Sequence, residues 1–253
     1  MNPVLEVKNL GIDFGGLTAV NQLNMEIYEN EIVGLIGPNG AGKTTVFNML
    51  TKVYDPTRGS IILNQEDINN LNTIEVNKKG IARTFQNIRL FNNLSVLDNV
   101  KSAMNNLYEY SIFDTFLHTK KYRNNEAEIT DKALQLLKIF DLDSSKDLLA
   151  SSLPYGGQRR LEIARALASN PKLLLLDEPA AGMNPQETEE LMNTIKFVRD
   201  KFNIAILLIE HDMNLVMNIC QRIYVLNYGM LLGKGEPEDI KNNPKVIQAY
   251  LGE

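Results

Sequence analysis

One glycine-rich segment constrains the fold of this chain more than any other feature. It fits the pattern G-x-x-x-x-G-K-[ST] with Gly37, Pro38, Asn39, Gly40, Ala41, Gly42, Lys43 and Thr44. In such a segment the glycines let backbone N–H groups curl around phosphates, the lysine reaches the outer phosphates, and the threonine hydroxyl can hold Mg²⁺.

The flanks of this segment are those of a phosphate-binding loop. An apolar run at residues 31–36 predicts a buried strand, and residues 45–50 predict the helix that follows. A phosphate would then lie at a helix N-terminus, where the dipole and the free N–H groups favour anions. The candidate nucleotide-binding residues are therefore the eight above and Thr45, with an ordinary glycine-rich turn as the alternative.

Composition bounds the class of protein. The 253 residues suffice for one large α/β domain, and 44% hydrophobic with 23% charged residues is typical of a globular protein. A net charge of −5 disfavours a nucleic-acid partner. The single cysteine, Cys220, excludes an intrachain disulfide and lies in an apolar helical pattern that predicts a buried thiol.

The sequence also predicts where in the cell the chain is located. The N-terminus lacks a basic segment followed by an apolar one, so we expect no signal peptide. No apolar run approaches the about 18 residues of a membrane span. We expect a cytosolic chain that reaches a membrane only through a partner.

Hydrophobic periodicity divides the chain into a core and an insertion. Alternation at residues 5–10 and 23–27 predicts antiparallel strands, and apolar runs at 172–177 and 204–209 predict buried core strands. Between them, residues 87–165 carry helical patterns. The prediction is an α/β fold with a core of about 1–86 and 166–253, an N-terminal antiparallel β subdomain and an inserted helical subdomain of about 87–165.

Asp177 and Glu178 end the apolar run at residues 173–176. Acids at the carboxyl end of a core strand lie where ligands bind in open α/β sheets. Asp177 is placed to hold Mg²⁺, and Glu178 can polarise the water that attacks a terminal phosphate. The alternative is a pair of solvated loop carboxylates.

For three further candidate sites, position in the sequence alone does not decide between a functional and a structural role. His211 follows the strand predicted at 204–209, where its imidazole could contact a γ-phosphate or simply begin a helix at the surface. Gln86 lies where the core meets the insertion, either as a ligand of Mg²⁺ or water or as a polar boundary residue. Gly156 and Gly157 precede a helix predicted over 159–168 and form either a second anion cradle, for a neighbouring subunit's nucleotide, or a plain loop.

These motifs occur in the order found in one family, and the chain resembles the ATP-binding subunit of ABC transporters over essentially its whole length. In that order, the matching elements are A-loop Phe14, Walker A 37–44, Q-loop Gln86, signature 154–158, Walker B 173–177, catalytic Glu178, D-loop 181–184 and switch His211. The resemblance implies a P-loop NTPase with a RecA-like core.

Within the family the chain is similar to the high-affinity branched-chain amino acid (Liv-type) importer ATPases. The segments 14–20, 83–91, 177–185, 209–217 and 249–253 support this resemblance. The chain departs from the general family pattern at Tyr155, where serine is usual in the signature, and at Asn184, where aspartate is usual in the D-loop. Both departures look normal for the Liv-type branch.

The resemblance implies a head-to-tail homo- or heterodimer that sandwiches two ATP molecules. Phe14 would stack on adenine, and Thr44, Gln86 and Asp177 would serve Mg²⁺. From the second subunit, the residues that close the site would be Tyr155, Gly156, Gly157 and Gln158.

The implied partners are transmembrane permease subunits at the cytoplasmic face of the cell membrane and, indirectly, an extracytoplasmic solute-binding protein. Residues 89–91 would line the permease groove, or pack within the helical subdomain. Residues 113–123, rich in aromatic and basic side chains, would approach lipid headgroups or form a solvated helix end. Import of amides or urea, lipopolysaccharide-type export and a non-transport ABC ATPase acting on DNA or ribosomes remain the alternatives.

Overall fold

A computed structural model of the protein describes residues 2–108 and 119–251. Most of the 113–123 stretch lies outside the described residues. The chain divides into two compact units, the first comprising residues 1–86 with 172–253 and the second comprising 87–171.

Ten strands occur in the described residues. They are β1 (Leu5–Phe14), β2 (Leu17–Ile27), β3 (Ile32–Ile36), β4 (Arg58–Leu63), β5 (Glu66–Asp67), β6 (Ile81–Arg83), β7 (Leu173–Asp177), β8 (Ala205–Ile209), β9 (Arg222–Asn227) and β10 (Met230–Gly235). The α-helices of the described residues are α1 (Lys43–Leu50), α2 (Thr73–Lys79), α3 (Val96–Met104), α4 (Lys120–Ile139), α5 (Tyr155–Ala168), α6 (Pro185–Phe202), α7 (Met213–Ile219), α8 (Pro237–Lys241) and α9 (Pro244–Leu251).

The first unit contains an antiparallel sheet in the order β2-β1-β4-β5. In its register Leu5 lies opposite Ile27, and Val7 opposite Met25. These four side chains are buried, while Glu6 and Lys8 between them are more accessible. The predicted alternation of an apolar and a wet face is confirmed in these strands.

The second sheet of this unit has the order β10-β9-β3-β8-β7-β6. All neighbours pair in parallel except β9 and β10, which form a hairpin. Every residue of β3, β7 and β8 is buried, as the continuous apolar runs predict. Because these three strands run parallel and adjacent, the segments that follow them meet at one edge of the sheet.

Local capping chemistry sets the start of α6. Asn184 accepts a hydrogen bond from the backbone N–H of Glu187, and the Glu187 side chain accepts one from the backbone N–H of Asn184. Pro185 occupies the first helical position, where its missing N–H costs nothing. The D-loop asparagine is therefore also a helix cap.

The second unit is helical. Ser95 caps α3 by accepting a hydrogen bond from the backbone N–H of Asp98. Contacts among α3, α4 and α5 bury apolar side chains that include Val100, Ala133, Leu137 and Leu161.

One helix of the second unit begins earlier than expected. The helix predicted over 159–168 begins at Tyr155, because Pro154 acts as its extended N-cap and the Gln158 N–H already bonds the Pro154 carbonyl at 2.9 Å. Gly156 and Gly157 thus lie inside the first turn rather than before it. The second unit ends at Pro171, three residues after the end of α5.

Within residues 2–108 and 119–251, the structure contains no helix whose length and apolar character would let it cross a bilayer.

Candidate functional site

A cavity of about 510 Å³ in the first unit surrounds the glycine-rich loop. Its lining comprises Leu17, Thr18, Ala19, Asn39, Gly40, Ala41, Gly42, Lys43, Thr44, Thr45, Glu178, His211 and Tyr228. This size is within the range of small-molecule sites. Segments following β3, β7 and β8 therefore contribute to one cavity.

Two glycines of the loop are required by their surroundings. Gly37 has φ +151°, and a Cβ there would lie 2.1 Å from the Leu226 carbonyl oxygen. Gly42 has φ +102°, and a Cβ there would lie 2.9 Å from the Ala19 carbonyl oxygen. The loop is packed so tightly against β9 and β2 that a side chain at either position would displace backbone.

The N-terminus of α1 is open to an anion. Gly42, its N-cap, supplies no side-chain hydrogen bond, and the first turn contains no acidic residue. The first N–H groups of a helix lack intrahelical partners, and the helix dipole favours negative charge there. A phosphate in the cavity would accept these hydrogen bonds.

Lys43 is buried beside the loop, with 6% of its surface exposed. Its Nζ donates to the Gly37 carbonyl at 2.7 Å and to the Pro38 carbonyl at 3.0 Å. Burial lowers the pKa of Lys43, while the Glu178 and Asp177 carboxylates raise it. The ammonium is thus anchored on loop carbonyls within the field of both acids.

Glu178, Gln86 and His211 lie together. Gln86 Nε2 donates to Glu178 Oε2 at 2.6 Å, and His211 Nε2 lies 2.8 Å from Glu178 Oε1. The Glu178 backbone is left-handed, with φ +45°, and its N–H donates to the Ile209 carbonyl at 2.9 Å. Segments after β6, β7 and β8 thereby converge on a single carboxylate.

Asp177 is held by a residue that we did not single out from the sequence. Arg83 Nη2 donates to Asp177 Oδ2 at 2.6 Å, and Arg83 Nη1 donates to Asn48 Oδ1 at 2.7 Å. The guanidinium also lies over the rings of Phe47 and Phe85. An apolar strand ending in arginine beside Gln86 was the only signal that the sequence offered.

The donor set of this site suits Mg²⁺. Thr44, Gln86 and Asp177 offer a hydroxyl, an amide oxygen and a carboxylate, all of them hard oxygen ligands. No group of three or more His, Cys, Asp or Glu side chains that could hold a metal occurs in the part of the chain that the structure describes. Mg²⁺ needs no such group, because it usually binds one or two carboxylates together with substrate phosphates.

Glu210 is a second acid to which sequence reasoning assigned no role. It is 4% exposed and accepts backbone hydrogen bonds from both the Glu178 and the His211 segments. Burial raises the pKa of Glu210, the backbone N–H groups lower it, and nearby Glu178 raises it. A glutamate directly after an apolar strand and before His211 was a signal, but periodicity alone does not show that it is buried.

Phe14 and Tyr228 are both exposed aromatic residues of the first unit. Phe14 does not line the cavity; it is 43% exposed, and its ring contacts Tyr54 edge-on with centroids 5.3 Å apart. Tyr228 lines the cavity with 88% of its surface exposed. Tyr228 and Gly229 form the two-residue turn between β9 and β10, and both have positive φ, as the tight turns of such hairpins require.

The signature residues belong to the second unit. Tyr155 is exposed, and a Cβ at Gly156 would meet no atom within 4 Å. Gln158 Nε2 donates to the Leu153 carbonyl at 2.9 Å, which braces the first turn of α5. The start of α5 is therefore accessible at Tyr155 and open around Gly156, whereas Gly157 is buried.

Family models and a curated relative show which proteins this chain is similar to. The family model described as "ABC transporter" matches residues 20–181, and one described as "Branched-chain amino acid ATP-binding cassette transporter" matches residues 231–253. The chain is 49% identical over 251 residues to the high-affinity branched-chain amino acid transport ATP-binding protein LivG of Escherichia coli K12, covering 99% of this chain and 98% of LivG.

Solved structures agree with this similarity. The ADP conformation of MJ1267, an ATP-binding cassette of an ABC transporter, matches with a TM-score of 0.87 and 29% identity, covering 100% of both chains. A dimeric post-hydrolysis structure of the cassette MJ0796, bound to ADP and Pi, matches with a TM-score of 0.76 and 26% identity, covering 92% of this chain and 98% of that one.

A phosphate loop between a buried parallel strand and a helix, with an acid at the end of a neighbouring strand, defines a P-loop ATPase, and the predicted fold class is confirmed. The family match and the LivG similarity narrow this class: the chain belongs to the ATP-binding cassettes of ABC transporters. It binds and hydrolyses ATP as a subunit that acts with membrane permeases, and the resemblance read from the sequence is confirmed.

Proposed function

We propose that this chain powers the import of branched-chain amino acids by binding and hydrolysing ATP. The match of residues 231–253 to the branched-chain amino acid cassette model and the 49% identity to LivG support this solute class. The observation that carries the chemistry is the Glu178 carboxylate beside the phosphate loop, contacted by Gln86 and His211.

In this proposal ATP places its phosphates on residues 37–45. The loop N–H groups and the α1 N-terminus stabilise the negative charge, and Lys43 exchanges its loop carbonyls for phosphate oxygens. Thr44, Gln86 and Asp177 hold Mg²⁺, directly or through water. Bound there, the ion neutralises charge on the phosphates.

Glu178 positions and polarises the attacking water, and His211 contacts the γ-phosphate. The 2.8 Å contact between the two side chains supports a joint role, because each restricts the orientation of the other. Gln86 contacts the same carboxylate and is the last residue of the first unit, so the helical unit begins directly after it in the chain. Most of the rate enhancement is then positioning and electrostatics.

Phe14 stacks on adenine in this proposal. Its partner in the β1–β2 register is Leu17, which lines the cavity, and 43% of the Phe14 surface is exposed. Stacking on an aromatic face suits any base, so Phe14 supplies affinity rather than discrimination among bases.

A head-to-tail dimer, with a like or a related ATPase, completes each site. Tyr155, Gly156, Gly157 and Gln158 of the partner subunit close the far side of the nucleotide. The start of α5 supports this, because Tyr155 is exposed, a Cβ at Gly156 would meet no atom within 4 Å, and a helix N-terminus can bind an anion. Residues 1–253 act as one ATPase domain, with a core of about 1–86 and 166–253 and a helical subdomain of about 87–165.

The helical subdomain docks a permease. Phe91 is exposed with its ring over the Arg165 guanidinium, and Leu94 and Leu149 of the same unit are also exposed. Such an apolar patch suits a short helix of the membrane partner. The chain then lies peripherally at the cytoplasmic face, meets the solute-binding protein only indirectly, and has no nucleic-acid partner. A crosslink map that places residues 89–91 far from the permease contradicts this docking.

Copurification tests the solute and the partners. Tagged Glu178→Gln protein is drawn with ATP from detergent-solubilised native membranes, and its companions are identified by mass spectrometry. Two polytopic permeases, a similar ATPase and an amino-acid-binding protein are expected. The matched control adds Lys43→Ala to the same protein, which removes the nucleotide contact and with it the ATP-dependent companions.

Other companions identify the alternatives. An amide- or urea-binding protein changes the solute, a lipid-export permease reverses the direction of transport, and ribosomes or DNA without a permease overturn the transport proposal. Turnover is tested separately: Glu178→Gln is expected to bind ATP and to lose hydrolysis. A wild-type rate in that variant contradicts the role assigned to Glu178.

A further inference from the structure

The backbone around the Glu178–His211 pair is held by one buried side chain. Glu210 follows β8 directly and is 4% exposed. Its Oε1 accepts the Ala180 N–H at 2.7 Å, and its Oε2 accepts the His211 N–H at 3.0 Å and the Asp212 N–H at 3.4 Å. One carboxylate therefore bridges the segment after β7 and the segment after β8.

The chemistry of these contacts requires a carboxylate. All three partners are N–H donors, and an ionised carboxylate offers only acceptors. Burying the charge is costly unless hydrogen bonds compensate it, and backbone N–H groups supply that compensation here. An amide at this position would turn an N–H group toward one set of donors and leave that set without an acceptor.

The bridge determines where Glu178 lies. Ala180 follows Glu178 by two residues, and the intervening backbone turns sharply because Glu178 has φ +45°. The Glu178 N–H bonds Ile209 at the end of β8, so this chain segment is fixed on both sides of Glu178. Across the bridge, Glu178 Oε1 and His211 Nε2 lie 2.8 Å apart.

We propose that Glu210 is a positioning residue that holds Glu178 and His211 in the register needed for hydrolysis. It does not line the nucleotide cavity and acts only through the two backbone segments that it joins. This inference rests on the roles proposed above for Glu178 and His211.

Glu210→Gln tests the inference in the full chain. We expect kcat for ATP to fall about 10- to 100-fold, the scale of effect seen when supporting groups of a site are misplaced by about 1 Å. The dissociation constant for MgATP should change less than about threefold, because the phosphate loop is untouched. The split between kcat and affinity is the readout that a general loss of structure would not produce.

Glu31→Gln is the matched control. Glu31 is a partly buried glutamate of the first unit that accepts the Tyr28 N–H at 2.8 Å and pairs with Arg222 at 2.9 Å, and it does not line the cavity. This variant should keep its kcat. If Glu210→Gln does not fold, as judged by thermal unfolding, Glu210→Asp is held to the same criteria, because it retains the charge but reaches only one side of the bridge.

Three results overturn the inference. They are a kcat within about threefold of wild type, a loss of kcat matched by an equal loss of affinity, and an equal loss of kcat in Glu31→Gln. Glu178→Gln, assayed in parallel, distinguishes a failure of the roles proposed for Glu178 and His211 from a failure of the inference about Glu210. If that variant keeps its turnover, the proposed roles fail and the inference fails with them; if it is inactive while Glu210→Gln is normal, only the inference fails.

Discussion

The buried ion pair between Arg83 and Asp177 leads to a prediction about stability. The two side chains are each 7% exposed, and their closest atoms are 2.6 Å apart. Arg83→Met keeps the side-chain stem against Phe47 and Phe85 but leaves the Asp177 carboxylate buried without its counter-charge. Breaking a buried pair in this way costs about 3–5 kcal/mol of unfolding free energy.

This loss of unfolding free energy corresponds to a measurable decrease in Tm. For chains of about 150–250 residues, 1 kcal/mol shifts Tm by about 2–4 °C, so Arg83→Met should lower Tm by about 6–20 °C in calorimetry without nucleotide. Arg83→Met combined with Asp177→Asn removes both charges and should recover most of that loss, because neither buried charge is then left alone.

The control is an ion pair of the same type at the surface. Arg58 pairs with Asp13, and both side chains are more than one third exposed. Arg58→Met should leave Tm near the wild-type value, since exposed pairs contribute little. The reasoning is refuted if Arg83→Met is no less stable than Arg58→Met, or if the double variant loses the sum of the two single losses.

Three further predictions concern other parts of the first unit. Lys43→Ala should weaken ATP binding about 10- to 100-fold by calorimetric titration, since a hydrogen bond to a charged group contributes about 1.5–3 kcal/mol; unchanged affinity contradicts it. Asn184→Ala should cost about 1 kcal/mol in urea unfolding through loss of the α6 cap, whereas exposed Gln186→Ala should not, and equal losses would remove capping as the cause. Burial raises the pKa of Cys220, so alkylation of the native thiol should stay slow as pH rises through about 8.5, while the unfolded chain reacts faster; a native rate that follows the unfolded one contradicts its burial.

Local patterns were sufficient for the elements and for several site residues. The apolar runs before Asp177 and before Glu210 are buried strands because a strand covered on both faces needs no polar alternation. The hairpin around Tyr228 and the cap at Asn184 also follow from short-range chemistry. The helix predicted from residue 159 begins at Tyr155, because the N-cap Pro154 precedes the two glycines and places them in the first turn.

Contacts between distant segments could not be read from these patterns. Arg83 and Asp177 are separated by 94 residues, Gln86 and Glu178 by 92, and Glu210 and Ala180 by 30. No local pattern in the sequence indicates that β3, β8 and β7 are neighbours in the sheet. Without that order, an acid after one strand and a histidine after another remain two unrelated polar residues.

The sequence by itself determined the phosphate loop, the buried strands and the capped helices, because these depend on the period of apolar residues and on glycine, proline and capping side chains within a few positions. Only the tertiary structure decided that Arg83 pairs with Asp177, that Glu210 bridges the two segments carrying Glu178 and His211, and that Tyr228 lines the cavity. Those pairings follow from the strand order of the sheet and from the need of each buried polar group for a partner, and neither is encoded within one segment.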